Sequence, residues 1–329
     1  MKTKRPLIFS ALGGVLIALF LSSIRLGSVP LDTKSFFSAL LRLDGYGTES
    51  AIIYTLRLPR TLAGLIAGAG LGVSGVLLQS VTDNKMASPG LIGVNSGAGF
   101  AVILALSLPF FPIKLIPLAA FSGAFLATLA IIAIAGRMGM TKNTVILSGI
   151  AFSAILSAGI SLLSLIDADV LVSYNAFSVG SLAGAELSEL LLPTILIISS
   201  LTAAIFAARK INLLTLGAPI ASSLGVKVRA LRVLCMLLAS ASAGAAVSVV
   251  GLLGFVGLMS PHIARALVGA DARRLIPAAA LVGADLVLAA DLCGRVIFAP
   301  GEMPVGVLMA LLGAPFFLGI LLKGGHRDA

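Results

Sequence analysis

Two carboxylates inside a long apolar run are the residues of this sequence that come nearest to proton or ion chemistry. Asp285 and Asp291 lie in the apolar segment 275–297. A carboxylate inside a membrane is costly and often marks a proton or ion pathway. Arg295 follows Asp291 by four residues, a spacing that predicts an ion pair on one face of a helix. Asp285 lies deeper in the segment, so structural hydrogen bonding and a functional role both stay open for it.

Three arginines lie at the ends of apolar segments. Arg57 and Arg60 flank Pro59, and Arg295 ends the segment that contains the two carboxylates. Such arginines often do no more than extend their charged ends to the membrane surface. They could also form a docking site for an acidic protein outside the membrane, where charge pairs set orientation and association rate. The sequence leaves both interpretations open.

The cysteines and histidines do not form a catalytic or metal-binding pattern. Cys235 and Cys293 both fall inside apolar runs, where a cysteine usually serves as a small buried hydrophobe. His262 and His326 are the two histidines, and neither belongs to a His/Cys cluster or follows a CxxC. We therefore expect no catalytic residue and no metal site.

Glycines at a spacing of four form one face of the second apolar segment. Gly64, Gly68 and Gly72 predict close helix packing, because small residues let backbones approach within a bilayer. Gly70, Gly72 and Gly75 also match GxGxxG, but the strand and the acidic residue of a dinucleotide site are absent from their context. No GxxxxGK[ST] occurs, so we expect no ATP hydrolysis by a P-loop in this chain.

The composition requires these residues to be placed by membrane helices. Of the 329 residues, 59% are hydrophobic and 11% are charged, and the mean hydropathy is +1.13. A soluble domain carries about 25% charged residues, so this chain cannot cover a water-facing surface. A soluble enzyme and a DNA-binding module are excluded, and nucleic acid is not expected as a partner despite the net charge of +10.

The fold class predicted from the apolar runs is all-α, a polytopic membrane protein with about ten transmembrane helices in one domain over residues 1–329. A span needs about 20 apolar residues. The N-terminal run is interpreted as a retained helix rather than a signal peptide. The predicted spans are 6–24, 58–80, 91–109, 114–135, 144–166, 189–208, 231–252, 255–270, 275–297 and 304–322.

Charge sets the predicted orientation. Most of the 23 Lys and Arg residues fall in the loops on the side of the two termini, which the positive-inside rule assigns to the cytoplasm. Residues 209–230 then form a long inner connection that is too interrupted by Gly and Pro to span. If this connection is helical, Ala221 and Gly225 lie on one face, and that small face would fit a groove of a partner.

Several long strings resemble one family. They are LRLPRTLAGLIAGAGLGVSGVLLQSVTDN at 56–84, SPGLIGVNSGAG at 88–99, GLLGFVGLMSPHIARALVGADARRLIP at 251–277, ADLCGRVI at 290–297 and GEMPVGVLMALLGAPFFLGILL at 301–322. These strings resemble the FecCD-like permeases of ABC importers for iron–siderophore complexes, haem and cobalamin, and the resemblance extends over nearly the whole chain.

The resemblance implies the type II ABC importer permease architecture, in the cytoplasmic (inner) membrane of a prokaryote. It implies a second permease subunit, either a copy of this chain or a paralogue, two cytoplasmic ATPase subunits and an external substrate-binding protein. Membrane lipid surrounds the helices. No cofactor is bound directly, because ATP is used by the partner subunits.

The resemblance also implies roles for named residues. Arg57, Arg60 and Arg295 correspond to outer arginines that meet carboxylates of the binding protein. Within LGAPIASSLGVKVRALR, at 216–232, the family pattern A-x-x-L-G assigns ATPase coupling to three residues, and a weaker match assigns a cytoplasmic gate to three more. The coupling residues are Ala221, Leu224 and Gly225, and the gate residues are Lys142, Asn143 and Thr144.

The expected function is passage of an iron–siderophore complex through a permease subunit that has no catalysis of its own. Alternatives within the family are haem or cobalamin, since Lys85 and Met86, and Ala218 and Pro219, depart from the usual family residues. From a different class, an ion-coupled secondary transporter would use Asp285 and perhaps Asp291. A membrane-embedded enzyme would need a cluster of reactive residues, which the sequence lacks.

Overall fold

A computed structural model describes residues 5–41 and 47–324, and every regular element in this part of the chain is helical. The predicted cytoplasmic termini concern residues 1–4 and 325–329, which lie outside the described residues. The helices are α1 (Arg5–Arg25), α2 (Thr33–Leu40), α3 (Gly47–Ala51), α4 (Leu58–Thr82), α5 (Val94–Leu106), α6 (Ile116–Arg137), α7 (Lys142–Ile166), α8 (Ala168–Val179), α9 (Leu187–Leu214), α10 (Ala218–Ser223), α11 (Val228–Val250), α12 (Val256–Val268), α13 (Ala272–Val296) and α14 (Val305–Gly324).

Ten of these helices correspond to the ten predicted apolar segments: α1, α4, α5, α6, α7, α9, α11, α12, α13 and α14. Within the described residues, seven helical stretches are long and apolar enough to cross a membrane, and α5 and α14 contribute shorter apolar helices. The all-α, multi-pass prediction is confirmed. We call the end of the bundle that holds Arg57, Arg60 and Arg295 the outer end, and the opposite end the inner end, following the predicted topology.

The helix α4 lies at the centre of the bundle and packs against α13, α11, α12 and α9. The most apolar window of its stretch is 83% buried inside the chain, whereas that of α7 is only 17% buried. A buried membrane helix needs small residues facing its neighbours, because lipid tails supply no hydrophobic force that would press the helices together. The glycines of α4 meet this need.

Two of these glycines, Gly68 and Gly72, lie where the backbone of α13 touches α4. A Cβ on Gly68 would overlap the carbonyl oxygen of Gly283 in α13, and a Cβ on Gly283 would overlap that of Gly68. Gly72 lies in the same way against Ala279, while Gly64 lies 3.1 Å, measured from its ideal Cβ, from side chains of Leu182 and Leu288. The stripe thus faces other helices of the chain, and the antiparallel pair α4 and α13 can lie in contact along its length.

The predicted span 255–270 differs from the observed helix. The chain leaves α11 at Gly251, runs without helical structure to Phe255, and begins α12, which has 13 residues. Thirteen residues extend about 20 Å, short of the roughly 30 Å of a hydrocarbon core. The start of α12 lies beside Gly75, because a Cβ there would overlap the carbonyl oxygen of Gly257, and Arg265 reaches Gln79 near the inner end of α4. Hence α12 covers only the inner part of the bundle, which corrects the predicted full crossing.

Backbone hydrogen bonds join the non-helical segment that precedes α12, and the end of α11, to α8 and the residues directly after it. The amide of Leu252 donates to the Phe177 carbonyl at 3.1 Å, and the amide of Ser181 donates to the Val250 carbonyl at 2.9 Å. Irregular backbone at membrane depth is tolerated where protein surrounds it and pairs its polar groups. The short helix α8 therefore supports the break between α11 and α12.

Candidate functional site

The outer end brings together the three arginines that the sequence singled out. Arg57 ends a π-helical turn (Ile52–Arg57), Arg60 lies in the first turn of α4, and Arg295 lies in the last turn of α13. Because α4 and α13 run antiparallel in close contact, the start of one meets the end of the other. The three side chains line one cavity of about 350 Å³. We call them the outer arginine cluster.

Asp291 joins two members of the cluster. Its Oδ1 lies 2.8 Å from Nη2 of Arg60, and its Oδ2 lies 2.9 Å from Nε of Arg295. The predicted i, i+4 ion pair of Asp291 with Arg295 is confirmed. Asp291 is 1% exposed, and a buried carboxylate is stable only when cations and hydrogen bonds compensate its charge. The cluster is thus a buried ion-pair network rather than a row of free surface charges.

Two of the arginines also hold the chain that leaves α1. Arg295 donates from Nη1 to the carbonyl of Leu26 at 3.0 Å, and Arg57 donates to the carbonyl of Ile24 at 3.0 Å. Arg57 is 5% exposed and Arg295 is 2% exposed. Their guanidinium groups donate hydrogen bonds to backbone carbonyls of the same chain, which the sequence alone did not reveal.

Arg60 is the member of the cluster that reaches the surface, and there it meets a residue that the sequence analysis missed. Nη1 of Arg60 lies 2.6 Å from Oε2 of Glu302, and the hydroxyl of Ser28 donates to Oε1 of Glu302 at 2.7 Å. Glu302 lies in the loop between α13 and α14 and is the single charged residue of that loop, a signal that could have drawn attention to it.

The Glu302 carboxylate is held in its charged form. Burial raises the pKa of this carboxyl, but hydrogen bonds from Arg60 and Ser28, with the charges of Arg60 and Arg295, outweigh that effect and keep the pKa below its ordinary value. The outer end therefore contains two carboxylates, Asp291 and Glu302, that already pair with the arginines expected to bind an acidic partner.

The inner end differs from the prediction at the coupling residues. We call residues 216–227 the inner loop. The helix α10 ends at Ser223, and Gly225 has a φ of +81°, so Ala221 and Gly225 do not share a helix face. Ala221 is 0% exposed and belongs to the main hydrophobic core. The expectation that these two small residues together form a partner-binding face was wrong, because the helix is too short and Ala221 packs inward.

Large apolar side chains are exposed on the inner loop instead. Leu216, Ile220 and Leu224 are each more than half exposed, at 55%, 51% and 57%. Ile220 lies within the short helix α10, Leu216 lies just before it, and Leu224 is its C-cap. We call them the apolar stripe. An apolar row beyond the end of the membrane helices is unfavourable in water and marks a contact surface. The spacing was visible in the sequence, but only Leu224 was singled out.

The three proposed gate residues begin α7. Lys142 and Asn143 are exposed, and Thr144 donates its amide to the N-cap hydroxyl of Thr141 at 3.2 Å. Nζ of Lys142 lies 3.4 Å from Oδ2 of Asp83, which ends α4. Both partners of this pair are more than half exposed, so it contributes little to stability. The turn before α7 is thus near the end of the central helix.

The carboxylates needed by an ion-coupled carrier are not arranged as a pair. Asp291 is neutralised by Arg60 and Arg295, and Asp285 is half-buried in α13 with no hydrogen-bond partner for Oδ1 among the described residues. Across residues 5–41 and 47–324, no group of three or more His, Cys, Asp or Glu could hold a metal ion.

Comparison with known proteins assigns nearly the whole chain to the family that its sequence strings resemble. The model of the FecCD transport family matches residues 15–323. The Fe(3+)-citrate import system permease YfmE of Bacillus subtilis (strain 168) is 37% identical over 324 residues, which cover 97% of this chain and 96% of that protein. The hemin transport system permease HmuU of Yersinia pestis is 38% identical over 321 residues, covering 94% and 93%.

A third relative and a solved structure extend the comparison. The ferric enterobactin transport system permease FepD of Escherichia coli (strain K12) is 37% identical over 316 residues, covering 94% of this chain and 93% of that protein. A structure of a metal-chelate type ABC transporter in an inward-facing conformation matches with a TM-score of 0.86 and 30% identity, over 97% of this chain and 99% of that one. Family, relatives and fold agree, and the chain belongs to the FecCD transport family.

Proposed function

We propose that this chain is the permease subunit of an ATP-driven importer that passes an iron–siderophore complex across the cytoplasmic membrane. The family and the multi-pass fold give the chain the general role of a permease of an ABC importer for iron chelates. The observation that carries the more specific proposal is the near-full-length similarity to permeases for iron citrate, hemin and ferric enterobactin. Hemin is the second candidate cargo, because the identity to HmuU is as high as that to the other relatives.

The proposed assembly contains two permease subunits, two cytoplasmic ATPase subunits and an external binding protein. The chain is a single permease domain with both termini in the cytoplasm. It has no catalytic residue, and it binds no cofactor, because ATP binds to the partner subunits. The broad exposed face of α7, only 17% buried at its most apolar window, supports contact of this helix with lipid or with the second permease.

The outer arginine cluster is proposed as the docking site of the binding protein, with unequal roles for its members. Arg60 makes the direct contact, since it lies at the surface and its surface partner Glu302 is 32% exposed. Arg57 and Arg295 are buried, and they hold the last turn of α1 and the chain directly after it, which frame the site. A carboxylate of the binding protein would compete with Glu302 for Arg60.

The apolar stripe is proposed as the ATPase coupling surface. Leu224 and Gly225 keep the coupling role assigned to them, because both are exposed at the end of α10. Ala221 supports this surface indirectly, because it packs in the hydrophobic core and holds α10 against it. The gate role of Lys142, Asn143 and Thr144 remains a proposal that rests on their position at the start of α7.

The test is uptake into proteoliposomes that hold the chain with its co-purified ATPase subunits. We expect uptake of a ferric siderophore to require ATP and the loaded binding protein, and to persist when a protonophore removes the proton gradient. Uptake that needs no ATP and stops with the protonophore would instead identify an ion-coupled carrier. Parallel assays with hemin and cobalamin decide between the cargo classes.

A further inference from the structure

We propose that Arg232 is a positioning residue that ties the inner loop to the turn in front of α7, so that movement of the loop reaches the gate residues. This inference rests on the proposed function. Arg232 lies in the second turn of α11, which begins directly after the inner loop. Its Nη1 donates to the carbonyl oxygen of Met140 at 2.6 Å. A hydrogen bond from a guanidinium is stronger than one between neutral groups, so this contact can transmit displacement.

The acceptor lies at a constrained position. Met140 has a φ of +51° and is 1% exposed, and its amide donates to the Ala135 carbonyl at 2.8 Å. A left-handed conformation is unfavourable for a residue with a side chain and persists only where surrounding contacts impose it. Thr141, which follows, is the N-cap of α7. The carbonyl that Arg232 holds therefore belongs to the residue directly before the N-cap of the proposed gate helix.

The inner loop, the start of α11 and this turn also share one buried cluster. Ala221 and Val226 of the loop, Leu231 of α11, and Met140 and Val145 on either side of the turn all belong to it. Packed cores change arrangement as units rather than by gradual deformation. A push on the exposed side of the loop would thus move the Arg232 side chain and the turn together.

A second contact supports the same path. Nη2 of Arg229, one turn earlier in α11, lies 3.3 Å from the carbonyl of Gly136, and Arg229 is exposed. Asp83 at the end of α4 pairs with Lys142, so the turn also touches the central helix. Since Arg232 makes the shorter contact and is half-buried, we assign the positioning role to Arg232.

The experiment compares Arg232→Met with Arg137→Met in the complete complex. Methionine keeps a long apolar stem but cannot donate. Arg137 is exposed at the end of α6, next to the same turn, and among the described residues it forms no hydrogen bond or ion pair, so it controls for the loss of one charge. The probe is Asn143→Cys in a Cys293→Ser background, labelled with a membrane-impermeant maleimide with and without ATP and vanadate.

In Arg232→Met we expect ATPase subunits to co-purify normally and to hydrolyse ATP, while the nucleotide-dependent change in Asn143→Cys labelling disappears and uptake falls roughly tenfold, within the usual range of coupling effects. Arg137→Met should keep both the labelling change and the uptake. Arg232→Lys, which keeps the positive charge but donates from a single nitrogen, should restore part of the labelling change. A purely structural role of Arg232 would lower the yield of complex without removing the nucleotide response of the molecules that fold.

A nucleotide response in Arg232→Met equal to that of the unmodified chain would overturn the inference. So would an equal loss in Arg137→Met, because the effect would then come from charge alone. If Arg232→Met fails to assemble, the shorter and uncharged Arg232→Gln takes its place, and an unchanged nucleotide response in that variant would also overturn the inference. Failure of the proposed function has a different result: the unmodified chain would not co-purify ATPase subunits or would take up cargo without ATP.

Discussion

The two ends of the bundle use charge and apolar surface in opposite ways. At the outer end, Arg57 and Arg295 are buried, Asp291 pairs with Arg60 and Arg295, and Glu302 pairs with Arg60. At the inner end, a loop expected to present small residues exposes Leu216, Ile220 and Leu224. The difference shows that residue type alone does not indicate whether a side chain binds a partner protein or stabilises the fold of its own chain. Burial and existing partners decide that question.

The largest effect is expected from Asp291→Ala at the outer end. This change leaves Arg60 and Arg295 without their shared carboxylate, and removal of one partner of a buried ion pair costs about 3–5 kcal/mol. Thermal unfolding of the purified chain in detergent or lipid should show the loss. Glu302→Gln, at the partly exposed edge of the same network, is the matched control and should change stability far less. Equal stability of both variants would mean that the cluster is not a buried network.

The next largest effect concerns the close approach of α4 and α13, which brings the outer arginine cluster together. Gly68→Leu should separate α4 from α13, because its Cβ would overlap the Gly283 carbonyl, and overpacking of this kind costs about 1–3 kcal/mol or more. We expect a low yield of folded complex by size-exclusion chromatography. Gly13→Leu in α1 is the control, since nothing lies within 4 Å of a Cβ there. Normal yield and uptake for Gly68→Leu would contradict the packing role.

At the inner end, Ile220→Asp should break partner binding without a loss of stability. Ile220 is 51% exposed, so the free chain tolerates a charge there, whereas a central contact residue of an interface often contributes about 2 kcal/mol, or roughly 30-fold in affinity. The measurement is co-purification of the ATPase subunits together with the melting temperature. Ser223→Asp, exposed on the same short helix, serves as control. Retained ATPase binding in Ile220→Asp would remove the apolar stripe from the coupling surface.

Arg60→Glu should weaken docking of the binding protein about tenfold at low ionic strength, and the difference from the unmodified chain should shrink as salt screens the charges. Association rates measured across a salt series test this. Because Glu302 competes for Arg60, Glu302→Gln should strengthen docking slightly. Association of Arg60→Glu at the unmodified rate in low salt would exclude Arg60 as a docking contact.

The smallest effect is a pH dependence at the outer end. The folded state holds the pKa of Glu302 below its ordinary value, so its contribution to stability is complete above about pH 4.3, the usual pKa of a glutamate, and is lost as pH falls through the lower folded value. The protection of backbone amides around Ser28, measured as hydrogen exchange relative to the intrinsic rate at each pH, should therefore fall below that pH. Glu302→Gln should lose this acid-induced change, and its persistence there would assign it to another group.

The length of the apolar runs was enough to predict most of the fold. Ten helices lie where ten apolar runs were predicted, because a bilayer admits few alternatives to a continuous helix. The exception is α12, whose apolar run continues beyond the observed helix. Its start was predicted to within one residue, but a helix of 13 residues is too short to cross the hydrocarbon core, so the predicted full crossing was wrong.

The site was predicted less well than the fold. Topology correctly placed Arg57, Arg60 and Arg295 at one end, since alternation of spans requires it. Their burial could not be predicted, because it depends on carbonyls after α1 and on the register in which α13 meets α4. Ala221 was misassigned for a related reason: a small residue on a short helix packs inward or outward according to what lies beneath it, and here the core lies beneath it.

The reciprocal contact of Gly68 and Gly283 has a mechanical consequence for alternating access. Neither glycine has a Cβ atom, so the two backbones are in direct contact at this point. Sliding one helix along the other would drive a neighbouring side chain into a carbonyl group, and a dense interior cannot absorb that overlap. This contact favours movement of α4 and α13 as one unit, with the opening and closing of a pathway produced by helices outside this pair.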